Sequence, residues 1–217
     1  MNRFIVSVCV LVLAACGGTS GGTSGGSGSQ QQQTSAQSVA SDSSDFSGLS
    51  KCPESGSWDS YLKAEQAKDP TQYTTDKKDW DSLKAAGAND SYVAVYADTS
   101  SNCGNFGTDT PSGKVVNVYA VRFKDQASAS DNFKSNSADF HLSDSDLASI
   151  TAAGGKVQQG TATGLGTNSV VVELSVAGMS FYIAFWQNKN FEVAMIVYNM
   201  PVTDGEAAST KINSRIK

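Results

Sequence analysis

The chain has 217 residues, 39% of them hydrophobic, and its 16 Lys+Arg against 21 Asp+Glu leave a formal net charge of −5. An acidic surface of this kind repels phosphate backbones, so no nucleic-acid partner is expected. A single histidine, His141, removes most triads and most catalytic zinc sites, which draw on imidazole.

Arg3 precedes an almost wholly apolar run from Phe4 to Ala15. The run is too short for the ~20 residues of a spanning helix and has the length and flanks of a signal-peptide h-region. It closes on Leu13-Ala14-Ala15-Cys16-Gly17, small residues followed by a cysteine. This segment resembles the lipobox of bacterial lipoproteins. The resemblance implies that residues 1–15 are cleaved and that the Cys16 thiol takes a diacylglycerol, usually with a further acyl chain such as palmitate. The partner is then a membrane, the cell membrane or the outer membrane, with the chain on its extracytoplasmic side. Each buried methylene contributes ~0.8 kcal/mol, and two or more chains anchor stably. An ordinary secretory leader with a chance cysteine is the alternative.

Residues 16–48 are mostly Gly, Ser, Thr and Gln, a composition that cannot offset its own ordering entropy. As a flexible coil this tether spans roughly 30 Å. Gly18 to Gly22 and Gly22 to Gly26 both match G-x-S-x-G. A nucleophile elbow needs a strand before it and a helix after it, so both matches are accidents of composition.

Of the four cysteines, Cys9 leaves with the leader and Cys16 is consumed by lipid. Cys52 and Cys103 remain in a compartment that permits disulfides, which leaves one pairing. It closes a loop of about fifty residues, worth roughly 4 kcal/mol in chain-entropy models.

Residues 49–217 have the size of one domain. Trp58, Tyr61 and Leu62 share a helical face, and Pro70 is expected just past that helix's end. Thr75 is the expected N-cap of a second helix carrying Trp80 and Leu83, closed by Gly87. Strands are predicted at Tyr92–Tyr96 and Val115–Phe123, separated by the polar loop that holds Cys103. Helices follow at Gln126–Phe140, capped by Asp125, and at Asp144–Ala153, with a strand near Lys156–Gln159. Alternation marks a strand from Val170 to Ala177, then Met179–Trp186, a Gln187-Asn188-Lys189-Asn190 turn, and Phe191–Tyr198. The last two strands are apolar on both faces, which predicts a sheet covered on both sides. Thr203 and Glu206 are placed as a capping box, and Ala208, Ile212 and Ile216 form one stripe of a closing helix. The class is α+β, a mostly antiparallel sheet flanked by helices.

The residues from Val118 to Phe133 (VYAVRFKDQASASDNF), the GLGTNSVVVEL segment, the SFYIAFWQNKNFEVAMIVY hairpin and the final helix are similar to small domains of secreted bacterial lipoproteins. They also resemble extracellular sensor domains of actinobacterial serine/threonine kinases. That resemblance implies a Mog1/PsbP-like fold and a ligand- or partner-binding role. The chain departs from those sensor domains in having one cysteine pair where they typically show two.

Gly164-Leu165-Gly166 lacks the third glycine and following helix of a dinucleotide fingerprint, and is expected to be a turn. His141 suits a helix end or the surface. Asp144 and Asp146 suit a helix start better than a calcium loop, and Asp98 and Asp109 are no better placed as ligands. No metal or cofactor is called for. On the hairpin, Tyr182, Trp186, Phe191 and Met195 share a face, with Trp186 expected opposite Phe191 and Tyr182 opposite Met195. A core beneath a helix is the ordinary fate of such a set; an open patch would bind an apolar ligand or an envelope protein. The expectation is a non-enzymatic, membrane-anchored binding or sensor module. A structural envelope component and an acidic-residue hydrolase are the alternatives.

Overall fold

Val115–Phe123 (β3) and Phe191–Tyr198 (β7), two runs rich in β-branched and aromatic residues, pair antiparallel at the centre of the molecule. Around them the computed structural model describes residues 34–105, 113–136, 144–176 and 178–217. The other strands are Ser50–Lys51 (β1), Ala88–Ala97 (β2), Lys156–Gln159 (β4), Ser169–Val176 (β5) and Met179–Asn188 (β6). All seven form one antiparallel sheet in the order β1-β2-β3-β7-β6-β5-β4. The helices are Ala36–Ala40 (α1), Trp58–Lys68 (α2), Pro70–Ala85 (α3), Gln126–Asn136 (α4), Asp144–Ala152 (α5) and Val202–Ser214 (α6). The class is α+β, as the periodicity predicts.

One face of the sheet is sealed. Tyr92, Ala94 and Tyr96 of β2, Val116 and Val118 of β3, Tyr182 and Trp186 of β6, and Val193 and Met195 of β7 meet Val39, Phe46 and Ile212 in a single core. α1 lies over β2 and β3, and α6 over β6. The α6 stripe is as expected, with Ala208 and Ile212 at 0% exposure. Its start differs: Pro201 is the N-cap and no side chain caps the helix, so the Thr203/Glu206 box does not form.

The expected tether boundary is corrected. Among the described residues, Ala36, Val39, Ala40 and Phe46, which were expected in the tether, are buried with Leu49 on the sealed face and so belong to the fold. Ser35 and Ser38 form a reciprocal capping box, and the Ala36 N–H donates to Asp90 Oδ2 at 2.8 Å. The Arg215 guanidinium then donates to Val39 O and to both oxygens of Asp45, at 2.6–3.0 Å. A polar, Ser-rich segment is ordered here by docking. Its own composition is a poor guide because the partners that hold it are distant in sequence. The expected leader, Cys16 and the glycine-rich stretch lie outside the described residues.

Pro70 lies just past the end of α2, as expected, but the N-cap of the second helix is corrected. It is Asp69 rather than Thr75, and Pro70 begins α3 at the first helical position, with Asp69 Oδ1 accepting from the N–H groups of Thr71 and Gln72. Proline has no N–H to leave unsatisfied there, so it starts a helix as readily as it follows one. The hairpin turn is shorter than expected. β6 runs on to Asn188, which pairs with Phe191, and Lys189 takes φ 51° in the turn. Trp186 therefore opposes Val193, and Tyr182 opposes Val197. The slip is an even number of residues, so the face assignment of every side chain survives it.

Candidate functional site

Cys52 and Cys103 are bonded, with S–S 2.06 Å and Cα–Cα 5.6 Å, as the cysteine count predicts. The bond ties the segment before α2 to the 3₁₀ turn after β2. Glu54 next to it accepts from Lys68 Nζ at 2.6 Å. His141 and Asp109 lie outside the described residues, as do both G-x-S-x-G matches; α5 begins at Asp144, and the side chains of Asp144 and Asp146 are not among those described. Asp98 closes its loop: one oxygen accepts from Asn102 Nδ2 at 2.6 Å, the other from the Lys114 N–H at 3.1 Å. These bonds hold its carboxyl below the usual range. Gly164 (φ 74°) ends a 3₁₀ turn leading to β5, as expected.

The aromatic set proposed as an open patch is core. Tyr182, Trp186, Phe191 and Met195 are 2%, 0%, 1% and 0% exposed. α6 seals them, and the Tyr182 hydroxyl pairs with Ser209 Oγ at 2.8 Å. Gly205 lets the helix come this close: a Cβ there would lie 2.5 Å from the Tyr182 ring.

The opposite face of the same strands is covered unevenly. α2 and α3 lie over β2, where Trp58, Tyr61 and Trp80 pack on Val93 and Val95. α4 covers one end of β6 and β7. There Phe133 stacks on Phe185 at 4.9 Å, and Asn132 Nδ2 donates to both oxygens of Glu192 at 2.9–3.0 Å. Burial pushes the Glu192 carboxyl up to about 8, only partly offset by Asn132 and the Phe133 backbone. α5 packs at the far edge, against β4.

Between these covers the sheet face stays half-buried. Phe181 and Ile183 of β6 and Ala194, Ile196 and Tyr198 of β7 are each partly exposed, although their immediate sequence neighbours Tyr182, Ala184, Met195 and Val197 are sealed. Tyr198 meets Phe181 edge-on at 5.5 Å. The α2–α3 hairpin forms one wall. The Tyr61 hydroxyl donates to Asp76 Oδ2 at 3.3 Å, and Gln72 Nε2 to Asp76 Oδ1 at 2.7 Å. Trp58 stacks on Trp80 at 5.5 Å and leans on Tyr119 of β3 at 5.7 Å. Asn117, paired with Ile196 across the β3–β7 ladder, is 2% exposed, and its Oδ1 has no hydrogen-bond partner among the described residues. An unmatched buried acceptor costs about 1–3 kcal/mol, an outlay that packing alone does not explain.

Two signals in the sequence point here. Both faces of the hairpin are apolar, and one polar residue interrupts the apolar run Val115-Val116-Asn117-Val118. The first predicts full cover, because nothing local distinguishes a covered apolar face from a half-open one.

No family model matches the chain, and no curated protein matches it. Among solved structures, the chain is similar to the extracellular domain of PknH from Mycobacterium tuberculosis. The two are 13% identical with a TM-score of 0.39, over 63% of this chain and 69% of that one. Among the described residues no helix is long and apolar enough to cross a membrane.

Proposed function

We propose that this protein is a lipid-anchored, extracytoplasmic, non-enzymatic binding module whose ligand sits on the half-open sheet face. One observation carries the proposal: a single pair of strands seals one face to 0–2% exposure and leaves Phe181, Ile183, Ala194 and Ile196 of the other half-buried. Apolar floors with a few convergent polar groups are the usual make-up of small-molecule sites, and Asn117 with Tyr61 and Asp76 supplies those groups. The disulfide supports an oxidising compartment. The signal sequence and Cys16 support delivery to a membrane surface, and a glycine-rich stretch ahead of Thr34 is suited to hold the domain off it.

Binding of the neutral dye Nile red tests the site. The wild-type domain is expected to raise the dye's fluorescence saturably. An Ile183→Ser/Ile196→Ser variant with a nearly unchanged melting temperature is expected to lose that response. Equal dye binding by both proteins, or none by the wild type, would refute the assignment.

A further inference from the structure

Among the described residues, the wall of the open face carries negative charge that enters no ion pair. Asp76 and Glu65 are both half-buried on α3 and α2, and neither belongs to an ion pair among the described residues. Asp76 spends its oxygens on the neutral donors Tyr61 and Gln72. The phenols of Tyr61 and Tyr119 are held well above the ordinary tyrosine range, by burial first and then by neighbours that include these two carboxylates. Both rings therefore stay neutral and present π-faces in a negative local field. Two residues from Tyr119, on the same side of β3, lies Asn117, its Oδ1 buried and without a partner among the described residues, an acceptor still in need of a donor. Beyond it the floor is hydrocarbon, from Ile196 and Ile183.

A ligand complementary to this set has three properties. It is cationic, because removing two carboxylates from water without a counter-charge is costly. It donates hydrogen bonds, because the wall and floor offer acceptors. It carries an apolar body, because the remaining floor is aliphatic and aromatic. Tyrosine and tryptophan faces add to the first property, since their quadrupoles attract ammonium groups. The acidity of the whole chain, at −5, draws cations toward it at longer range.

Building on the proposed binding site, we infer that the protein takes an organic ammonium with an apolar body, its charge over Tyr119 beside Asp76 and Glu65 and its hydrocarbon on β6 and β7. The ligand class is an alkyl- or arylammonium, with the N–H groups aimed at the Asp76 and Asn117 oxygens.

The test compares three probes of one shape in the purified full chain: 4-phenylbutylamine, 4-phenylbutanol and 4-phenylbutyrate, titrated near pH 7 and followed by amide chemical shifts. The amine is expected to bind about tenfold more tightly than the alcohol, with the carboxylate weakest, and to move resonances of β3, β6 and β7. Asp76→Asn is expected to bring amine and alcohol to near parity; if that variant does not fold, Glu65→Gln serves in its place. Equal binding of amine and alcohol by the wild type would overturn the cation assignment and leave the open face as a site. So would an unchanged preference in a folded variant. No shift with any probe would overturn both.

Discussion

Glu192→Gln isolates a carboxyl that folding forces to hold its proton. Beneath α4 the Glu192 side chain is 3% exposed as part of a buried residue, and its pKa rises from an ordinary 4.5 to about 8. A folded pKa above the unfolded one means the native state binds a proton that the unfolded chain releases. Stability from this group is therefore full below pH 4.5, falls as pH rises toward 8 and is flat beyond. The gap, at ~1.4 kcal/mol per pH unit, amounts to roughly 5 kcal/mol as an upper bound. Glutamine has the shape of the protonated acid and no charge to bury. It keeps one of the two Asn132 contacts, at a cost of about 1 kcal/mol. Urea unfolding at pH 5 and pH 8 checks this. The variant is expected near parity with wild type at pH 5 and ahead by roughly 3 kcal/mol at pH 8. Subtracting one protein from the other removes every other titrating group. A difference that stays constant across this range would refute the argument.

Gly205→Ala drives a Cβ to 2.5 Å from the Tyr182 ring; a loss of about 1–3 kcal/mol is expected by chemical denaturation, whereas a neutral change would mean α6 moves freely. Trp186→Ala empties the centre of the sealed face and is expected to cost about 3–5 kcal/mol in the same assay, with no direct contact to a ligand on the other side. Cys52→Ser with Cys103→Ser opens a loop of sequence separation 51 and is expected to cost roughly 4 kcal/mol; an unchanged melting temperature would count against the bond as a staple. Cys16→Ser is expected to abolish incorporation of a fatty-acid analogue in metabolic labelling, and normal labelling would end the lipid-anchor assignment.

Local chemistry was enough to identify β3 and β7 with their observed ends, because β-branched and aromatic residues dominate both runs and turn-forming residues flank them. It was enough for the α+β class, for the stripe of α6, for the turn at Gly164 and for the pairing of Cys52 with Cys103, where counting left one partner. Each of these depends on residues close together in the chain or on a number that cannot be divided otherwise. Tertiary structure alone decided the rest. Ala36 and Val39 read as linker until they dock beside Asp90 and Arg215, more than fifty and one hundred and seventy residues away. Tyr182 and Ile183 are equally apolar neighbours, yet one is sealed because Gly205 admits a helix above it, while the other faces a gap between α2–α3 and α4. A side chain's face follows from the two-residue period of its own strand. What covers that face depends on where distant helices land, and no window of sequence contains that.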